Sequence, residues 1–499
     1  MKTKHIFLPL LALCILLSAC EKYLDIKRTS GQANVETIND CQLLLDNYTV
    51  FNTNYPTDND IAADDFFLND LNYNNPDRVS LEDKNIYSYN PAFGRIGGGS
   101  WMELYNKVYY SNIVLETLEK LNGKEAADAV NNLRGAALFL RAYQFWNLAQ
   151  LYAKPYDAAT LQEPGIPLRL NSDINIMVGR GTVQQTYAKI VSDLQEAVTL
   201  MPATSVKPTR PNKAAAYAML ARVYLSMEDY PNALISASAA LDINSTLMDY
   251  NTVNSNTTNP FYPRFNTEVI FHSVTSLATI LNPGSTGDAV ARISPELYNL
   301  YEPKDLRKLI FFKPNTINYS YMENGQQKGI DVPDGTYRFS GNYEQGTNSI
   351  QFNGLAVDEL LLIAAEGYAR ANNVEKALEK LNALLIKRYE NTSTSPFVPK
   401  TAATPLDALK LVLEHRRKEL VMRRLRWTDL RRLDKDSRFA KPVVKEVREI
   451  RVQGSNASDY TVTNTVKQSF TLNIHDPRYT LLIPQSAVES TPNLPQNLR

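Results

Sequence analysis

Residues 211–244 read PNKAAAYAMLARVYLSMEDYPNALISASAALDIN, and the spacing of small and large apolar side chains there decides what kind of molecule the chain can form. Tyr217, Leu220, Ala221 and Tyr224 recur at three- and four-residue steps, as do Ala233, Ala237 and Ala240. That is the period of a helix with one buried face. Residues 227–231 separate the two runs as a turn. The small residues allow two antiparallel helices to approach closely, while the larger ones fill the groove between them. Such a pair cannot bury its faces alone and has to stack on neighbours, so the fold expected is mainly α.

The same register returns at 360–385, LLLIAAEGYARANNVEKALEKLNALL, on Leu361, Ala364, Ala365, Tyr368, Ala377, Leu381 and Leu384, with 371–373 as the turn. Both segments fall on the signature positions of the tetratricopeptide repeat; a generic helical hairpin is the alternative. Upstream, Trp101, Leu104, Tyr105, Val108, Asn112, Leu115 and Leu118 form one continuous stripe, and Leu133, Ala137, Leu140, Phe145, Leu148 and Tyr152 another. Residues 32–51 read as a further helix. Residues 52–100 are rich in Asn, Asp, Tyr, Gly and Pro without a sustained period, which predicts loop with short elements, and a long irregular segment usually covers or binds something. The chain turns irregular again over 247–352, with VIFHSV (269–274) and KLIFFK (308–313) as strand-like runs. Alternating stretches at 443–452 and 460–474 predict a minor, loop-associated β content.

The N-terminus runs MKTKH and then IFLPLLALCILLSAC, a basic region followed by an apolar stretch too short for a spanning helix, as in an export signal. Its end, Leu17-Ser18-Ala19-Cys20, resembles a bacterial lipobox, which would make residues 1–19 a signal peptide and Cys20 a lipidated N-terminus; a plain secretory signal is the alternative. Residues 20–31 then form a tether. A domain follows over 32–499, its N-terminal part to about 246 and its C-terminal part from about 247 intertwined in one globular unit. Each acyl CH₂ buried in a bilayer contributes about 0.8 kcal/mol, so the lipid anchors an otherwise soluble domain. With Cys14 removed and Cys20 acylated, Cys41 has no partner, and the core must hold without a disulfide. The sequons at Asn244, Asn256, Asn391 and Asn456 mark polar loops.

The 499 residues carry 53 basic and 53 acidic side chains, with 44% hydrophobic residues. This balance argues against a surface built for phosphate backbones. The most charged run, HRRKELVMRRLRWTDLRRL at 415–433, can be laid on a helix. Leu413, Leu420, Trp427 and Leu430 share its apolar face, with Glu414 four residues before Lys418, Glu419 four before Arg423, and Asp429 within reach of Arg426 and Arg432. Such a helix packs inward, and leaves Arg423, Arg424 and Arg431 as a surplus for a partner, lipid headgroups or solvent.

The three histidines of the mature chain, His272, His415 and His475, have no metal-ligand spacing, and no nucleophile elbow or phosphate-cradling glycine loop is present. The GGGS run at 97–100 reads as a hinge or helix cap ahead of Trp101. Asp58, Asp60, Asp64 and Asp65 read as a solvated acidic loop, with a structural calcium as the alternative. Glu366 and Glu419 lie on helices in ion-pairing company. Nothing marks a catalytic pair, which favours binding over turnover. Carbohydrate recognition asks for flat rings beside amides and carboxylates, and the irregular regions supply both. Tyr55, Phe67, Tyr73, Tyr89 and Trp101, with Tyr319, Tyr321, Tyr337 and Tyr343, are the candidate ligand-binding rings among the chain's 28 tyrosines and its other aromatics. Core packing is the competing role for each.

Taken together, the chain resembles the SusD/RagB outer-membrane lipoproteins of Bacteroidota. The resemblance rests on EKYLDIK after Cys20, on Trp101, Tyr105 and Asn112, on Arg141, Ala142, Tyr143 and Phe145, and on Glu366, Ala369, Arg370, Ala377, Leu381 and Asn382. It continues through Glu414, Arg417, Glu419, Leu420, Arg426, Trp427, Asp429, Leu430 and Arg432 to Ile483, Pro484, Glu489, Asn493, Gln496 and Asn497. Two departures stand out: Ala153 and Lys154 precede Pro155 where the family usually has glycine, and Arg423, Arg424 and Leu425 replace an acidic residue and glycine. The resemblance implies a SusD-like fold with a tetratricopeptide-like scaffold and a lipoprotein that lids a TonB-dependent, SusC-like transporter. It also implies a surface-exposed, non-hydrolytic protein that binds an oligosaccharide, or in some relatives a peptide, without a cofactor or nucleic acid.

Overall fold

Side chains that hold the free N–H groups of the first turn start most helices of the computed structural model, which describes residues 35–257, 260–261, 263–284, 289–344 and 350–499. The signal peptide, Cys20 and the tether lie outside these residues. Thr37 and Asp40 form a capping box on α1 (Ile38–Leu45). The stretch expected as one helix over 32–51 breaks there, because Asn47 caps a separate turn at Tyr48–Phe51. A helical stack follows: α2 (Gly99–Leu121), α3 (Ala127–Tyr152), α4 (Val183–Leu200), α5 (Lys213–Ser226), α6 (Tyr230–Ile243), α7 (Val357–Arg370), α8 (Val374–Leu385) and α9 (Pro405–Glu419), each packed on the next. Thr182, Asn212, Asp229, Asn373 and Thr404 cap α4, α5, α6, α8 and α9; such caps contribute about 1 kcal/mol each.

The two repeat-like segments form the hairpins α5–α6 and α7–α8, and the chain between them leaves the stack and returns. Ala233, Ala237 and Ala240 are fully buried, and α6 packs against α7 so closely that a Cβ on Gly367 would lie 2.8 Å from that of Leu234. The fold is mainly α.

Six strands carry most of the β content: β1 (Phe66–Asn69), β2 (Arg292–Ile293), β3 (Phe312–Glu323), β4 (Gln326–Phe339), β5 (Val443–Gly454) and β6 (Tyr460–Leu472). Four of them form a sheet in the order β6-β5-β1-β2, in which β1 runs parallel to β5 and thereby joins the two ends of the chain. β3 and β4 make a separate ribbon. KLIFFK departs from the strand expectation: Arg307–Phe311 is helical and the strand begins at Phe312. One apolar core lies within the helical stack, and a second, containing Phe66, Tyr87, Tyr250, Phe311, Phe352 and Trp427, lies beneath the irregular segments.

The basic run is two helices rather than one. α9 ends at Glu419 and α10 (Arg426–Leu433) follows a turn in which Met422 and Arg424 take left-handed backbone angles, φ 54° and 60°. Each such residue costs about 1–2 kcal/mol, and here buried contacts hold the turn: the Arg424 amide donates to Asp60 at 3.1 Å and its guanidinium to Pro56 O at 2.7 Å. The expected surface surplus does not exist. Arg423 donates to Asp358 at 3.1 Å, and Arg431 donates to the carbonyls of Ala149, Gln150 and Ala153 at the C-terminus of α3. There the helix dipole favours a cation. Glu419 pairs with Arg307 and Arg388 instead of Arg423, Arg426 with Asp64, and Asp429 with Arg416 and Arg432. Trp427 is fully buried.

Candidate ligand-binding site

The irregular segment 52–100 is organised around one guanidinium. Ser80 caps a short helix, Leu81–Tyr87, which presents Glu82 and Asp83. The loop after it brings Arg95 back across them. Arg95 donates through Nε to Asp58 at 2.9 Å, through Nη2 to Asp58 and to Asp83 at 2.9 Å, and through Nη1 to Glu82 at 3.3 Å. Burial opposes the charge, but Asp58 and Asp83 more than offset it and push the Arg95 pKa up. The Ile96 amide donates to Glu82 at 2.7 Å, and the amides of Gln485 and Ser486 donate to the Arg95 and Ile96 carbonyls at 2.9 and 3.0 Å. Both edges of the loop are therefore fixed. Gly99, at φ +39°, starts α2 directly after it, so the glycine run is a helix start.

Beside Arg95 opens a cleft of about 380 Å³, lined by Thr57, Glu82, Asp83, Gly97, Gly99 and Ser100 on one side and Ser276, Leu277 and Ala278 on the other. Phe93, 56% exposed, and Ile96 stand on the same loop. Phe93 borders a separate, smaller pocket on the other side of Arg95, with Tyr89, Tyr152 and Arg478. Aliphatic edges, hydroxyls, a half-exposed carboxylate and glycine backbone suit the cleft to pairing with a polar ligand's hydroxyls, and an exposed ring stands on the loop that walls it.

The rings nominated from sequence lie elsewhere. Tyr55 is buried edge-on to Tyr143 and donates to Phe51 O; Phe67 is buried under Arg448; Tyr89 donates to Ala62 O; Trp101 packs between Tyr105 and Tyr152. Tyr343 is buried against Phe261 and Phe352 with its hydroxyl on Glu268. Tyr73 is half-buried between Tyr87 and Phe470, and Tyr337 is stacked on Tyr298 at 3.8 Å. Tyr319 is buried beside the half-exposed Tyr321 and against Tyr460. None of the nine lines the cleft. The lining residues Glu82, Ser276 and Leu277 carried no sequence signal beyond a neighbouring glycine run, because the long-range fold brings them together.

The acidic cluster is likewise buried, not solvated. Asp58 faces Arg95, Asp64 takes Arg426 and Arg417, and Asp65 takes Arg417. Guanidinium groups thus stand where a calcium would have to, and among the described residues no group of His, Cys, Asp and Glu is arranged to hold a metal. His272 contacts Glu344, His415 Arg307 and His475 Asp434, in three separate places.

Two family models match this chain: one described as starch-binding and associating with the outer membrane over residues 22–225, and that of the SusD family over residues 313–499. The chain belongs to the SusD/RagB family. A SusD-like protein P2 of Formosa agariphila is 24% identical over 372 residues, 67% of this chain and 71% of its own length. Among solved structures, a SusD superfamily protein of Bacteroides thetaiotaomicron has a TM-score of 0.68 at 21% identity, covering 93% of this chain and all of its own. The surface glycan-binding protein A of Bacteroides uniformis has a TM-score of 0.63 at 17% identity, covering 92% of this chain and 99% of its own. At these identities the solved structures bear on the fold alone. Arg141 is buried, donates to both oxygens of Asp193 at 2.9 Å and to Asn112 at 3.0 Å, and so ties α2, α3 and α4 together.

Proposed function

We propose that this protein is a cell-surface lipoprotein that captures an oligosaccharide in the Arg95 cleft and passes it to a TonB-dependent, SusC-like transporter. The observation that carries the reading is the cleft itself: a loop locked by Arg95, which also carries the exposed Phe93 and Ile96, walls a space lined by Glu82, Ser100 and Ser276. The names of the family models and of the Bacteroides uniformis relative support a glycan as the ligand. The lipobox at Cys20 supports attachment to the outer membrane, and the family supports an outward orientation. The molecule is read as a binding protein that needs no cofactor, and the burial of its basic run in internal ion pairs leaves that run no role in nucleic-acid binding.

A few stacked rings and hydroxyl contacts give dissociation constants in the micromolar to millimolar range, about −8 to −4 kcal/mol. Calorimetry of the unlipidated chain against a panel of soluble glycans, with peptides as a second arm, tests the proposal. Saturable binding of a glycan that weakens on Phe93→Ala supports it. Binding of peptides alone, or of a glycan with no response to substitutions in the cleft, overturns it.

A further inference from the structure

Residues 168–178, LRLNSDINIMV, form a loop between α3 and α4 whose apolar side chains are turned out, with Asp173 and Asn175 exposed among them and bonded to each other. Leu170, Ile174, Ile176 and Met177 are 46%, 67%, 44% and 54% exposed. The loop is nevertheless well braced. Asn112 on α2 donates to the carbonyls of Arg169 and Asn171, both at 3.0 Å, and Glu116, one turn on, accepts from the Ser172 amide at 2.6 Å and its hydroxyl at 2.5 Å. Asp173 takes the Asn175 amide and side chain at 2.9 Å, while its carbonyl takes the Arg169 guanidinium at 3.0 Å. Arg180, at the far end, donates to the carbonyls of Gly165, Tyr152 and Pro164.

This arrangement suits a bilayer better than a protein partner. Protein hot spots rely on aromatic rings and arginines that make directional contacts, and here no ring projects while both arginines are occupied internally. An apolar medium asks instead that backbone and side-chain polar groups be satisfied before entry, and the loop's internal bonds meet much of that demand. The position agrees. Thr117, next to Glu116 on α2, donates to the carbonyl of Val35 at 3.1 Å, so the described chain begins beside the base of this loop. Fourteen residues separate Val35 from Cys20, a reach of at most about 50 Å.

We propose that the loop at 170–178 is a membrane-contacting element, seating Ile174, Ile176 and Met177 in the headgroup boundary of the bilayer to which the Cys20 lipid ties the chain. The position argument rests on Cys20 being lipidated. The test therefore uses the mature chain with Cys20→Ser, floated with vesicles of phosphatidylethanolamine and phosphatidylglycerol, so that the loop acts without the lipid. The parent is expected to partition measurably into the vesicle fraction, and Ile174→Glu/Met177→Glu to lower that partition at least fivefold with an unchanged melting curve. Val398→Glu, on the connection between α8 and α9 and 76% exposed, should leave it unaltered. Absence of flotation, equal flotation of parent and double variant, or loss in the variant of a stoichiometric protein complex without loss of vesicle binding overturns the proposal. Mass spectrometry of membrane-derived protein reports acylation of Cys20 separately, so failure of the lipid reading and of the loop reading give different results.

Discussion

Replacing Arg388 by methionine removes the one guanidinium that joins three distant carbonyl and carboxylate groups. Arg388 donates to both oxygens of Glu268 at 2.7 and 2.9 Å, to Glu419 at 2.7 Å and to the Met248 carbonyl at 2.8 Å, and the three charged side chains are fully buried. Glu419 keeps Arg307 at 2.8 Å, whereas among the described residues Glu268 has its ion pair with Arg388 alone. Breaking a buried pair in this way costs about 3–5 kcal/mol. The pH dependence is specific. Burial, helped by Asp358 and Glu419, pushes the Glu268 carboxyl up to about 7 against the pull of Arg388; in the unfolded chain it titrates near about 4.3.

A group raised in this way contributes stability that is complete below the unfolded value and lost as pH rises through the folded one. Without Arg388 the folded value climbs further, and each added unit enlarges the loss by about 1.4 kcal/mol once the pH exceeds both values. The penalty of Arg388→Met is therefore expected to be larger at about pH 8 than at about pH 5.5, where Glu268 is protonated in both folded proteins. Urea unfolding followed by tryptophan fluorescence at the two pH values measures it, since Trp101, Trp146 and Trp427 are all buried. An equal penalty at both values, or a larger one in acid, would refute the account of Glu268.

On the Arg95 loop, Phe93→Ala is expected to weaken glycan binding about three- to tenfold, the worth of one stacked ring, and to leave the melting temperature unchanged; calorimetry and a thermal scan read the two. Ala237→Leu forces extra methylenes between α5 and α6, where no space exists, and should cost about 1–3 kcal/mol in urea unfolding. Burial pushes the Cys41 thiol up to about 11, so in the Cys20→Ser chain it should react with a disulfide reagent near neutral pH only slowly when folded and rapidly in urea. Fast reaction in the native protein would show that α1 opens readily.

Legibility in the sequence followed the range of the interactions. The hairpins α5–α6 and α7–α8 were readable because a helical face is a local pattern: Ala233, Ala237 and Ala240 sit three and four residues apart, and Asp229 and Asn373 mark the second helix of each pair. The strands at 443–454 and 460–472 were readable for the same reason. Charge was not. Glu419 looked like a partner for Arg423 four residues on, but a left-handed turn intervenes and each finds a residue more than 30 positions away. Candidate rings were nominated by composition, and most of Tyr55, Phe67, Tyr89, Trp101, Tyr319 and Tyr343 proved to be core because aromatic rings in irregular segments have the most apolar area to hide. Phe93 differs from them only in standing on a loop whose orientation Arg95 dictates, and that depends on Asp58, 37 residues away.

The pairing of the N-terminal aspartates with the arginine run bears on how the chain is made. Asp64 and Arg426 are 362 positions apart, as are Asp60 and Arg424 by 364. A polypeptide made N-terminus first delivers the acids long before their counterions, and contacts this far apart close late in folding. Until the last fifth of the chain has been made, Asp60, Asp64 and Asp65 lack these partners. Completion of the fold is thereby coupled to completion of synthesis, and a product truncated before residue 414 lacks both arginines that pair with Asp64.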